Sequence, residues 1–216
     1  MGDIGTAVLR FEAELLSECE KAGRSREDVT LVAVSKTVPV SAMLEAYDAG
    51  LRHFGESRLQ EALPKLGEMP EKTVWHFIGR LQSNKARSVA ENFDVIHALT
   101  NERQLEQIAK ADRRADVLVQ VNIACEESKD GIPVETLDKF IELVQQCEQV
   151  RCRGLTVIAP LVPDPEQVRW VFREAARRAA GSGLPWLSMG MSGDWRVALQ
   201  EGATHLRVGS ALFGER

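Results

Sequence analysis

A lysine at the end of an apolar run can serve as a nucleophile, and Leu31-Val32-Ala33-Val34-Ser35-Lys36-Thr37 presents one. If the run is a regular strand, Val32, Val34 and Lys36 share one face. The amine then lies at the strand's carboxyl end, where barrel enzymes assemble their sites. Apolar walls there penalise the ammonium form and favour the neutral amine, which attacks carbonyl groups. Schiff-base formation is the chemistry that suits Lys36; a lysine that simply follows the strand into solvent fits the same spacing.

Two later stretches could hold an anion. Leu187-Ser188-Met189-Gly190-Met191-Ser192-Gly193-Asp194 places glycines and serines between an apolar run and a helical one, and His205-Leu206-Arg207-Val208-Gly209-Ser210 does so again. Glycine lets backbone N–H groups converge on a phosphate, and a following helix adds the positive end of its dipole. Ser192 with Gly193, and Gly209 with Ser210, are the candidate cradles. Arg207 shares strand parity with His205 and Gly209. On an inward face its guanidinium needs a partner, such as a phosphate or a ring nitrogen; on an outward face it would pair with a helix carboxylate. His76, in Trp75-His76-Phe77-Ile78-Gly79, could touch a ligand or be a satisfied barrel histidine. The segment Glu126–Asp130 after Asn122 reads as a solvated loop, and Cys147 and Cys152 as small packing residues.

These residues need a scaffold, and the hydrophobic pattern supplies it. An amphipathic opening helix carries Ile4, Val8, Phe11 and Leu15 at three- and four-residue spacing. Strands are expected at 29–35, 53–55, 74–78, 95–99, 117–123, 154–158, 187–189 and 205–208. Helical stretches alternate with them at 41–49, 58–66, 84–91, 102–111, 134–147, 165–180 and 194–200, with Ser41, Ser57 and Asn101 as candidate caps. Such alternation, with no linker, means an α/β chain folded as a closed (β/α)₈ TIM-type barrel or an open doubly wound sheet. Eight strands favour the barrel, with the opening helix added to it. The loops of strands seven and eight are where barrels often build phosphate sites. Ala49-Gly50-Leu51-Arg52-His53-Phe54 is echoed by Glu201-Gly202-Ala203-Thr204-His205-Leu206, each glycine ending a helix ahead of a strand.

The 216 residues, 44% hydrophobic and 27% charged, suffice for one core and are expected to form one domain over residues 1–216. Lys and Arg number 27 against 32 Asp and Glu, a net charge of −5, which argues against nucleic acid or an anionic membrane as partner. Any phosphate site is therefore local. Cys19, Cys125, Cys147 and Cys152 show no CxxC pair, so a zinc site or disulfide framework is not expected and a reducing cytoplasm is. Charges break the opening segment, and no run approaches the roughly 18 apolar residues of a membrane span. Tyr47 is the only tyrosine.

Together the segments LVAVSKTVP (31–39), HFGES (53–57), WHFIGRLQSNKAR (75–87), Asn122 to Gly131, RGLTVI (153–158), LSMGMSGD (187–194) and LRVGSALFGER (206–216) resemble the pyridoxal phosphate homeostasis proteins over nearly the whole chain. The resemblance implies a barrel of the fold-type III kind, like the N-terminal domain of alanine racemase, holding pyridoxal 5′-phosphate (PLP) as an internal aldimine. It matches Lys36 to the Schiff-base lysine, Ser192 and Gly193 to one phosphate loop, Gly209 and Ser210 to the other, and Arg207 to an arginine beside the pyridine nitrogen. Ser57 stands where the family commonly has Asn, Arg80 where it often has Pro, and Gly193 where an acid is frequent. The implied function is carriage, buffering or regulation of cellular PLP by a monomer, without an established catalytic turnover, with PLP-dependent apoenzymes as candidate recipients. A PLP-dependent racemase or decarboxylase is the rival; racemisation in the alanine racemase pattern needs a second base, a tyrosine. An aldolase using Lys36 on a phosphorylated sugar without PLP would explain the lysine and the loops, but not the match along the chain.

Overall fold

The computed structural model describes residues 3–214. Glu215 and Arg216, at the end of the last matching segment, lie outside the described residues, as do Met1 and Gly2. Eight parallel strands, β1 (Thr30–Val34), β2 (His53–Glu56), β3 (Val74–Phe77), β4 (Val95–Leu99), β5 (Ala115–Gln120), β6 (Val150–Thr156), β7 (Trp186–Ser188) and β8 (His205–Val208), pair in sequence order into a closed barrel. Closure comes from β1 against β8, with Thr30 beside His205 and Val32 beside Arg207. The open-sheet alternative is excluded.

Helices alternate with the strands: α1 (Ile4–Lys21), α2 (Val40–Asp48), α3 (Leu59–Glu68), α4 (Ala86–Asn92), α5 (Glu102–Ile108), α6 (Leu137–Gln145), α7 (Arg169–Gly181), α8 (Trp195–Gln200) and α9 (Ser210–Phe213). The expected opening helix is α1. It buries Val8, Phe11, Leu15 and Cys19 and packs on α2, α8 and α9, while Asp3 caps it by accepting the Gly5 N–H. Gly50 and Gly202 have φ of 110° and 95°, so both echoed segments do end a helix in a backbone conformation that favours glycine.

Several boundaries differ from expectation. β5 begins at Ala115 because Ala115 and Asp116 pair with Val150 and Arg151, an ion pair that extends both strands through polar sequence. Three helices open with a 3₁₀ turn, at Ser83–Lys85, Val134–Thr136 and Pro165–Val168. Asn101 caps α5, accepting the Gln104 N–H at 3.0 Å. Ser41 and Ser57 are not caps: α2 starts behind Pro39, whose fixed φ already suits a helix entry, and α3 starts behind Arg58. Among the described residues no helix is long and apolar enough to cross a membrane.

Candidate functional site

A cavity of about 700 Å³ opens at the carboxyl end of the barrel, and Lys36, Ser192, Gly193, Arg207, Gly209 and Ser210 all line it. The strand that carries the lysine is the first and those that carry the loops are the last two, yet β7, β8 and β1 are consecutive around the closed barrel. Closure alone therefore brings the lysine beside both glycine–serine loops.

Lys36 follows β1 in a tight turn in which the Val38 N–H donates to the Ser35 carbonyl at 2.9 Å. Thr37 takes φ of 63°, a conformation costly for a β-branched residue. The turn is pinned from below. Ser35 Oγ donates to Glu56 Oε1 at 2.8 Å, and Lys65 Nζ donates both to that oxygen, at 2.8 Å, and to the Ser35 carbonyl, at 2.9 Å. Glu56 is fully buried and its Oε2 has no partner. Lys36 itself is exposed at the mouth of the cavity.

The loops after β7 and β8 touch: the Gly209 N–H donates to Ser192 Oγ at 3.4 Å. Ser192 and Gly209 are half-buried, and Gly193 and Ser210 exposed, so hydroxyls and backbone N–H groups face one accessible space. Helices α8 and α9 span only six and four residues, which leaves these local donors rather than helix dipoles to hold an anion. Asp194 closes the β7 loop by accepting the Met191 N–H at 2.6 Å, and burial raises its pKa against the opposing pull of that bond and of Arg207.

Arg207 points inward and is buried; the outward pairing with a helix carboxylate does not occur. Nη1 donates to the carbonyl of Ser188 at 2.8 Å and to its hydroxyl, and Nη2 donates to the Val157 carbonyl at 2.9 Å. Burial pushes its pKa down to about 10, opposed by Asp194, so the guanidinium remains charged at neutral pH. Three of the five N–H groups of a guanidinium are thereby engaged and two are left.

Other candidates resolve differently. His76 is a satisfied barrel histidine, hydrogen-bonded at both ring nitrogens. Tyr47 lies on α2 outside the cavity, with the Arg52 guanidinium 3.8 Å above its ring. The loop after Asn122 is tied by the Asn122 amide to the Glu126 carbonyl at 2.8 Å. Cys147 and Cys152 are partly buried against the core. Val34, expected on the face of Lys36, lines the cavity, whereas no site role was expected for Ile158, Pro160, Leu161 and Val162, which form its other apolar wall. A signal for the latter was present, since Ile158-Ala159-Pro160 follows directly on a barrel strand and so lies in the loop at the same face.

An amine, an apolar slot, a phosphate-sized cluster of donors and a guanidinium can together hold an aldehyde that carries a phosphate. Comparison with known proteins agrees with this geometry. Residues 17–216 match the family model described as alanine racemase, N-terminal domain. The chain is 40% identical, over all of its length and 98% of the relative's, to the pyridoxal phosphate homeostasis protein of Escherichia coli. It is also 40% identical to the protein of that name from Aquifex aeolicus, over 92% of each. Among solved structures it is similar to PipY of Synechococcus elongatus with PLP bound, at a TM-score of 0.82 and 39% identity over 94% of this chain and all of that one. Alanine racemase of Corynebacterium glutamicum shares the fold, with a TM-score of 0.70 at 15% identity over 98% of this chain and 62% of that one.

Proposed function

This chain belongs to the family of pyridoxal phosphate homeostasis proteins, and on that premise we propose that it is a single-domain cytoplasmic carrier and buffer of PLP, held through Lys36. The donor set fits the group. Lys36 offers an amine to the aldehyde; Ser192 and Ser210 offer hydroxyls, and Gly193 its backbone N–H, to the phosphate, with the Gly209 N–H able to turn to it from its long 3.4 Å bond to Ser192 Oγ; Val34, Ile78 and Ile158 offer an apolar slot to the ring. The cavity falls within the range of about 300–1,000 Å³ usual for small-molecule sites. When bound, the group supplies an electron sink.

Arg207 limits how far that sink works. Its guanidinium stays protonated and still has two N–H groups to give, so it would meet a ring nitrogen placed against it as a donor and would leave that nitrogen without a proton of its own. A ring held this way is a weak acceptor of charge. Around the cavity the groups able to move a proton are Lys36 and Asp194, and Asp194 is occupied with the Met191 N–H. The only tyrosine is outside it, so the tyrosine of the alanine racemase pattern has no counterpart among the described residues that line the site. The observation that carries the proposal is the convergence of Lys36, both glycine–serine loops and Arg207 on one cavity.

Carrier and enzyme separate in deuterated water. The PLP-loaded protein incubated with L-amino acids should leave their α-hydrogens and chirality unchanged. Rapid deuterium incorporation with racemic product would overturn the carrier reading. PLP-dependent apoenzymes are the proposed recipients, and activation of such an apoenzyme by the loaded protein, faster than by free PLP, is the corresponding check.

A further inference from the structure

Barrels of this type usually fill their interiors with branched aliphatic side chains. Here all four histidines of the chain sit on barrel strands, His53 on β2, His76 on β3, His97 on β4 and His205 on β8. Three of them form a column. The Ser188 hydroxyl is 2.8 Å from His97 Nδ1, His97 Nε2 is 2.8 Å from His76 Nδ1, and His76 Nε2 is 2.9 Å from His53 Nδ1. At the top, Arg207 Nη1 donates to the same Ser188 hydroxyl. At the bottom, half-buried His53 reaches a second cavity at the opposite end of the barrel. His205 packs beside the column, its ring centroid 6.1 Å from His76 and 6.0 Å from His97, and is bonded instead to Thr204 Oγ1 at 2.9 Å.

The direction of this column follows from chemistry. A guanidinium can only donate. Ser188 Oγ therefore accepts from Arg207, and its own proton has one acceptor within reach, His97 Nδ1. His97 then carries its proton on Nε2 and donates to His76 Nδ1; His76 likewise donates from Nε2 to His53 Nδ1. The reverse polarity would leave the proton of the fully buried Ser188 hydroxyl without an acceptor, a costly arrangement. Burial disfavours the charged form of each ring in the column, holding His53 below the ordinary imidazole range and His76 and His97 well below it.

We propose that Ser188, His97, His76 and His53 are positioning residues for the cofactor site, a one-way hydrogen-bonded column of Nε2–H imidazoles that fixes the Arg207 guanidinium against the cavity. This rests on the reading that Arg207 meets the PLP ring. Each acceptor lone pair is on the side facing Arg207, so the bond dipoles add in support of the cation.

The test has two arms. In ¹⁵N-histidine-labelled protein prepared without PLP, nitrogen chemical shifts at neutral pH should report Nε2–H for His97, His76 and His53; a proton on Nδ1 of His97, or a charged ring, would overturn the column. In the second arm PLP binding is measured by equilibrium dialysis. Ser188→Ala should weaken it about tenfold, the effect of losing one hydrogen bond to a charged group. His97→Leu should do the same, whereas His97→Asn, which keeps an acceptor near the Nδ1 position, should stay within about threefold of the parent. Unchanged affinity in a folded Ser188→Ala protein would overturn the positioning role, and this milder variant decides the matter if His97→Leu does not fold. A parent protein that binds no PLP would instead refute the functional reading, leaving the nitrogen shifts to judge the column on its own.

Discussion

Glu56 shows how much of the site depends on residues that touch no ligand. Its buried carboxylate joins Ser35 and Lys65 directly beneath the turn that presents Lys36. Breaking a buried pair by removing one partner leaves an uncompensated charge. Lys65→Met is therefore expected to destabilise the protein by about 3–5 kcal/mol, measured by urea unfolding, and to loosen PLP retention with it. At Arg207 the effect is electronic. Arg207→Glu places a carboxylate where a donor stood, and the absorption spectrum of the bound cofactor should move toward that of a protonated ring; an unchanged spectrum and affinity would mean that Arg207 does not face the cofactor. The two residues also differ in legibility. Arg207 could be found from strand parity and a nearby glycine–serine turn, whereas Glu56 and Lys65 read as ordinary polar positions until β2 and α3 are folded against β1.

Among the elements, strand ends matter more than strand centres. The apolar runs of β1 and β4 were legible because both faces of a parallel barrel strand are covered and the sequence is hydrophobic apart from Thr30 and His97. β6 begins four residues before its expected start because Val150, Arg151 and Cys152 pair along β5 despite the two arginines of the segment, with Arg153 at a shift in register. Close approach explains Gly154 in the same strand: a Cβ there would lie 1.9 Å from the Trp186 carbonyl oxygen of β7. Gly154→Ala must part β6 from β7, and thermal unfolding should register a loss of roughly 2 kcal/mol or more, as for other overpacked sites. Gly193→Ala is the contrast. Nothing lies within 4 Å of its added methyl, so its stability should stay within about 0.5 kcal/mol of the parent and any effect should appear in PLP affinity.

Over the whole molecule, the concentration of histidine inside the barrel ties stability to pH. Burial depresses all four imidazoles, His76 and His97 well below the ordinary 6.5 and His205 to about 3. Below 6.5 the unfolded chain takes up protons that the folded barrel refuses, so stability is complete above that pH and falls as the pH drops toward the folded values. Each deeply buried ring contributes up to about 1.4 kcal/mol per pH unit, and urea midpoints should fall between neutral pH and pH ~5; a flat profile would contradict this state of the core. The cluster was not legible in the sequence. His53 was visible only in an echo of a helix-to-strand turn and His205 only there and in the parity of Arg207, and four scattered histidines become neighbours only when the barrel closes. The same closure joins the ends of the chain's logic, the lysine after the first strand and the anion loops after the last two. Borohydride reduction of the PLP-loaded protein, followed by mass spectrometry of its peptides, tests that union most directly. The visible band should disappear and a single pyridoxyl adduct should map to Lys36; colourless protein that cannot be loaded with PLP, or an adduct on another lysine, would contradict it.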